Sequence, residues 1–393
     1  MKGRLRFGVF MAPLHSPVAN PTHQLREDLA LVRELERLGF DEVWFGEHHS
    51  GGTEIWGSPE IMIAAAAELT ERIKLGTGVV SIPYHNPFMV AERMNLLDHL
   101  TRGRAMLGVG PGILPSDAWM IGVDVLEQRR MLREGFDAVM ALLRHEGPVT
   151  METDWFTLRD ARLQLKPFTP GGLEAAVASV ASPIGAELAG RHGVSLLSIG
   201  ATTDVGFDAL ARNWEIATTE AEKHGRTVER DRWRMLGVVH LADTREQAIE
   251  DIRDGIEHYF DYFQKTIAVP QFEVGGKTFD ERVRFMLDSG VFALGTPDDA
   301  IAQIDRLVAQ SGGFGTYLLQ ANDLASPAAT RYSYELFARH VMPHYQDAID
   351  SRLESEAFAR SIRPEMFARQ AKAVEQEVAR YEEERQAAPR PKP

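Results

Sequence analysis

The stretch Ile73-Lys74-Leu75-Gly76-Thr77-Gly78-Val79-Val80-Ser81-Ile82 leads into Asn86-Pro87 and a helical run ending at Leu100. Arg104-Ala105-Met106-Leu107-Gly108-Val109 follows. This reads as strand, helix, strand, with proline at the first helical turn. The strands are apolar almost throughout, as strands of a parallel sheet covered on both faces are. Working outward, the unit recurs. Upstream, strands at 6–11 and 42–46 precede helices carrying Leu25, Leu29, Val32, Leu35 and Leu38, and opening at Ser58-Pro59. Downstream, strands at 175–180, 195–199, 235–241 and 314–320 alternate with helices at 184–191, 204–223, 244–259 and 327–340. The strand at 104–109 is followed by a helix at 127–144. Eight such units predict a closed (β/α)8 TIM barrel. The competing doubly wound sheet would carry Gly-x-Gly-x-x-Gly after the first strand, where Met11-Ala12-Pro13 stands instead.

Two insertions interrupt the alternation, at 147–172 and 261–313. In the first, 155–158 and 161–165 are expected to pair as a hairpin. The second includes a helix entered through Gly295-Thr296-Pro297-Asp298. The barrel is expected to occupy 1–346. Residues 347–393 hold ten acidic and nine basic side chains, which suits a solvated helical tail frayed at Pro389-Arg390-Pro391-Lys392-Pro393.

The chain has 393 residues, 44% of them hydrophobic, and no cysteine. That excludes disulfides, thiolate metal sites and thiol nucleophiles. A net charge of −14 argues against nucleic-acid binding. Without a cleavable leader pattern or a run of about 20 apolar residues, the expectation is a soluble, cytoplasmic protein that engages no membrane.

Chemistry in such barrels sits at the C-terminal strand ends. Those ends carry Glu47-His48-His49, Gly78-Val79, Gly110-Pro111-Gly112 and Ala181-Ser182-Pro183, a rim rich in small and apolar groups that suits a flat, partly apolar ligand. Glu47-His48-His49 reads either as a loop anchor or as a site. A metal site would need further ligands, and strands five and six end in serine and glycine, which disfavours a metallohydrolase; no metal is expected. Ser182, ahead of Pro183 and Gly185, reads as a helix N-cap or as a phosphate seat. Asp117 reads by itself as a surface aspartate.

Taken together, Val43-Trp44-Phe45-Gly46-Glu47-His48-His49, Lys74-Leu75-Gly76-Thr77-Gly78-Val79, Asn86-Pro87, Leu96-Leu97-Asp98, Thr101-Arg102-Gly103-Arg104 and Gly108-Val109-Gly110-Pro111-Gly112 closely resemble the bacterial luciferase-like flavin-dependent monooxygenases. The limonene monooxygenase-like members are the most similar, and weaker similarity runs to about His340. The resemblance implies a monooxygenase that takes reduced FMN from a separate flavin reductase. It would form a flavin hydroperoxide with O2 and oxygenate a small hydrophobic substrate, as a homo-oligomer, a dimer. By the same resemblance His48 is the catalytic histidine, flanked by Glu47 and His49. Gly78-Val79 is a cis-peptide bulge under the flavin, and Asp117 an acid near it. Ala181, Ser182 and Gly185 hold the phosphate, with Pro111 and Gly112 nearby. Pro111 stands where relatives often carry arginine, so Arg129 or Arg130 is expected to supply the positive charge. A deazaflavin-dependent oxidoreductase and a non-catalytic flavin-binding protein are the alternatives on this barrel.

Overall fold

The computed structural model describes residues 4–387, so the proline-rich end at 389–393 lies outside the described residues. The chain divides into two units, Met1–Met342 and Pro343–Pro393.

Eight parallel strands close the barrel of the first unit: β1 (Arg6–Met11), β2 (Glu42–Phe45), β3 (Lys74–Thr77), β4 (Ala105–Gly110), β5 (Glu174–Ser179), β6 (Ser195–Ser198), β7 (Arg234–Leu241) and β8 (Thr316–Ala321). Each pairs with the next, and β8 returns to β1 with Arg6 opposite Thr316 and Met11 opposite Ala321. The helices start and stop where their ends are chemically satisfied. Asn20 accepts from the Thr22 and His23 N–H groups to open Pro21–Leu38, and Gly39 ends it in the left-handed conformation.

Phe10, Trp44, Met106, Leu197, Leu236 and Leu318 fill the barrel interior. Trp44 is fully buried between β3 and β4, and the glycines there make room for it. A Cβ at Gly76 would stand 2.6 Å, and one at Gly108 2.9 Å, from indole carbons. Below Trp44, at the N-terminal strand ends, the buried Arg234 guanidinium donates to both oxygens of Glu42 (2.7 and 2.9 Å) and to Glu174 (2.7 Å).

Several elements differ from the expectation. The third strand stops at Thr77 instead of running to 82, and Val80–Ser81 pairs separately with β4 across the Gly78–Val79 peptide, which is cis as the resemblance implied. The hairpin is Val149–Glu152 with Thr157–Ala161 rather than 155–158 with 161–165. Thr153 Oγ1 accepts from the Trp155 and Phe156 N–H groups, which puts Trp155 in the turn. The helix expected at 244–259 breaks into Arg245–Asp251 and Ile256–Asp261. At the break, Gly255 approaches the Asp323 and Leu324 carbonyls so closely that a Cβ would meet each at 2.3 Å. Unforeseen elements are a short helix, Pro115–Ile121, and a strand, Phe292–Gly295, paired with the outer half of β7. The helix after it, Pro297–Ser311, is the one expected.

The described part of the second unit is dominated by the helix Asp350–Ala387, with Pro364 inside it. Its face carries pairs such as Glu356–Arg360 and Glu365–Arg369 one turn apart. No helix among the described residues is long and apolar enough to cross a membrane.

Candidate functional site

A cavity of about 880 Å³ opens at the C-terminal ends of the strands. Phe10, Ala12 and Leu14 enter it from β1 and the loop beyond, Leu236 and Val238 from β7. The insertion at 261–313 closes its outer side with Phe263, Ile267, Phe272, Val274 and Phe285. A long insertion there replaces water with aromatic and aliphatic surface over the barrel mouth.

The polar side is built by the loop after β2. The Gly46 N–H donates to the Met11 carbonyl (3.2 Å), pinning the loop to β1. His48 then points into the cavity between two carboxylates. Its Nδ1 lies 3.1 Å from Asp117 Oδ2, and its Nε2 3.5 Å from Glu54 Oε2. Asp117, on the Pro115–Ile121 helix, also accepts from the His49 N–H (3.1 Å) and the Ser50 hydroxyl (2.5 Å). Burial works against charge on Asp117, but the His48 and Ser50 hydrogen bonds outweigh it and hold the carboxyl below its usual range. For His48, burial disfavours the imidazolium, and the Glu54 and Asp117 charges more than compensate, leaving it above the ordinary histidine value.

Glu47 has a different task. It is buried, and one oxygen meets His49 Nε2 (3.1 Å) and His85 Nε2 (2.5 Å) while the other accepts the Ser81 N–H (2.6 Å). Against the penalty of burial, those partners keep the carboxyl below its usual range. It thus clamps the loop after β2 to the segment just beyond the cis Gly78–Val79 peptide, and Gly78 and Val79 line the cavity.

At the far end, Ala181 and Ser182 line the cavity beside the start of helix Ile184–His192. Ser182 does not cap that helix, contrary to one reading of the sequence: Pro183 is the N-cap, already helical at φ −69° and ψ −17°, and makes no side-chain cap hydrogen bond. The N–H groups at this helix start therefore have no N-cap side chain to donate to. Gly185 presses this helix start onto β5, where a Cβ would meet the Ala178 carbonyl at 2.2 Å. Arg212 donates to the Ala181 carbonyl (2.7 Å). Of the two arginines expected nearby, Arg130 is held by Glu127, Glu134 and Asp154, whereas Arg129 lines the cavity and forms no ion pair among the described residues.

The structure therefore gathers Glu47, His48, Gly78, Val79, Pro111, Gly112, Ala181 and Ser182 around one cavity. His49, Asp117 and Gly185 stand behind that lining and position it. Gly112, at φ +85°, leaves room for the Tyr84 hydroxyl, which Gln128 contacts at 2.9 Å. Sequence reasoning missed Glu54. Its only signal is a carboxylate set in the otherwise uncharged Thr53-Glu54-Ile55-Trp56. Among the described residues no cluster of three or more His, Cys, Asp or Glu is arranged to hold a metal ion.

Residues 5–314 match the luciferase-like monooxygenase family. Limonene 1,2-monooxygenase of Rhodococcus erythropolis is 45% identical over 351 residues, 89% of each chain. The 4-hydroxyprotoasukamycin monooxygenase of Streptomyces nodosus subsp. asukaensis is 43% identical over 88% of this chain and 94% of its own. Among solved structures, the oxygenating constituent of 3,6-diketocamphane monooxygenase from Pseudomonas putida, a type II Baeyer-Villiger monooxygenase in complex with FMN, superposes with a TM-score of 0.69. It is 25% identical, with 87% of this chain and 99% of that one covered. By its barrel, its motifs and these matches, the chain belongs to the luciferase-like monooxygenase family.

Proposed function

We propose that the protein is a two-component, FMN-dependent monooxygenase that places one atom of O2 into a hydrophobic organic substrate. The observation that carries this reading is a single cavity with an apolar outer wall, a polar inner end at His48, and a helix start beside Ser182 whose N–H groups no N-cap side chain satisfies. Such a donor set fits FMN. The isoalloxazine ring would lie against Gly78–Val79 near His48. The phosphate would take the Ser182 hydroxyl and the first N–H groups of helix Ile184–His192, where the helix dipole favours an anion. Arg129, unpaired at the cavity wall, supplies the positive charge that Pro111 does not.

Reduced FMN supplies the two electrons with which O2 is divided between substrate and water. The protein's own residues hold the ring, orient the substrate and exclude bulk water. His48, kept in one orientation by Asp117, carries a proton at the ring edge. The likeness to an oxygenating constituent supports delivery of reduced FMN by a separate reductase. The matched limonene and protoasukamycin monooxygenases, with the aromatic insertion wall, support an apolar substrate such as an olefin or a cyclic ketone.

The test is isotopic. Purified protein, FMN, NADH, a flavin reductase and an apolar olefin or cyclic ketone are incubated under ¹⁸O2. A product carrying a single ¹⁸O supports the proposal, and reduced-flavin oxidation with no labelled product across a panel of such substrates contradicts it.

A further inference from the structure

Glu54 is a buried carboxylate lining the cavity whose bonding is incomplete. Its side chain is 4% exposed, and Oε1 has no hydrogen-bond partner, although a buried carboxylate normally collects several. The site is shaped to admit it: a Cβ at Gly46 would stand 2.0 Å from that same oxygen, so glycine there leaves the space the carboxyl occupies. Its other oxygen faces His48 Nε2 at 3.5 Å, on the side of the ring opposite Asp117. A buried polar atom without a partner, beside the histidine and lining the cavity, is a feature packing alone does not call for.

We infer that Glu54 is the proton partner of His48, a positioning residue that holds the shared proton on the imidazole from inside the cavity. The inference rests on the monooxygenase reading for what the proton is used for, but not for the pairing itself. In the resting pair one proton is shared. When the reacting oxygen takes that proton from His48 Nε2, the N–H bond breaks, an O–H bond forms, and His48 is left neutral beside the Glu54 carboxylate. The pair is reprotonated from solvent when the cavity next opens. No electrons move, and no water need enter while the reactive species exists.

The charges around the pair agree with this. Burial pushes the Glu54 carboxyl up, the His48 charge pulling it back only in part. His48 faces Glu54, Glu47 and His49 on its own loop and Asp117 from the Pro115–Ile121 helix. Glu54 also feels Asp117 and His15, and Tyr262, which lines the same cavity from the insertion, has its hydroxyl pushed up by burial and by the Glu54 charge. Asp117 is fixed as an anion by Ser50 and the His49 N–H, so the mobile proton belongs to the Glu54 side.

The experiment follows the His48 ring by NMR in histidine-labelled protein without flavin, its signal identified by loss in His48→Gln. With Glu54→Gln, which keeps the shape and removes the charge, the His48 midpoint should fall by about one pH unit or more, as expected when an opposite charge a few ångströms away is removed. In turnover, the alkaline limb of the pH–rate profile should move to lower pH by the same amount. A His48 midpoint unmoved by Glu54→Gln overturns the pairing and leaves the flavin reading intact. Should the variant fold poorly, the wild type decides: the infrared band of a protonated carboxylic acid must change in step with the His48 titration, and its absence overturns the pairing. Retention of the paired titration in a protein that fails to take up FMN would overturn the flavin reading and leave the pairing standing.

Discussion

Two buried charge clusters sit at opposite ends of one barrel, and they are finished differently. At the N-terminal end, Arg234 donates to Glu42, Glu174, the Ser195 hydroxyl (3.0 Å) and the Arg232 carbonyl (2.9 Å). Glu42 also accepts from the Trp44 indole (2.9 Å), and Lys74 completes Glu174 (2.8 Å). With Arg234 and Lys74 beside it, Glu174 is held down to about 2 despite burial. At the C-terminal end His48, Asp117 and Glu54 surround a cavity, and one Glu54 oxygen is left without a partner. A closed network holds the fold and has no capacity for another group; an open one retains a proton position and room for a ligand.

The comparison can be broken at either end. Replacing His48 by alanine should reduce turnover by about 10²–10⁴-fold, the usual contribution of a positioned acid or base, with the folded barrel retained. Equal turnover in His48→Ala would remove the histidine from the chemistry.

Arg234→Met should do the reverse. It strands two buried carboxylates and should cost about 3–5 kcal/mol in stability, read by urea unfolding. A loss below about 1 kcal/mol would mean that the closed network is not what holds that end of the barrel.

The Ser182 end separates binding from folding. Because Ser182 caps nothing, Ser182→Ala should leave stability unchanged and weaken FMN by roughly tenfold, a charge-assisted hydrogen bond being worth about 1.5–3 kcal/mol. Riboflavin, which has no phosphate, should bind the variant and the wild type alike. Equal weakening of both ligands would put Ser182 elsewhere.

The pH-dependent effect concerns His15, which follows β1 and meets Asp323 (2.8 Å) and Asp28 (3.0 Å). Burial opposes its charge, but the two aspartates raise it to about 9. Its folded value lies above the ordinary histidine value, so its contribution to stability is complete below about pH 6.5 and fades as pH rises through 9. Stability measured from pH 7 to 10 should therefore fall in the wild type and fall less in His15→Gln. Parallel curves would contradict the ion pairing.

Much of the barrel was legible because parallel strands covered on both faces announce themselves as short apolar runs, and helix starts such as Asn86-Pro87 carry their own punctuation. What escaped depended on contacts distant in sequence. The break at Gly255 is set by carbonyls of Asp323 and Leu324. The strand Phe292–Gly295 exists because the outer half of β7 offers it a partner. Within the site, His48 and Ser182 stand at strand ends and could be named from position and resemblance. Asp117 read by itself as a surface residue, since only the folded Pro115–Ile121 helix carries it to His48. Glu54 is seven residues past Glu47 and carries no motif, and its meaning comes from the space over Gly46.

The central claim is that the cavity above the barrel takes reduced FMN, and anaerobic titration tests it most directly. Protein freed of flavin, titrated without oxygen, should bind reduced FMN saturably, and a His48→Ala variant should bind it still. Saturable binding of a reduced deazaflavin with none of reduced FMN would contradict the account.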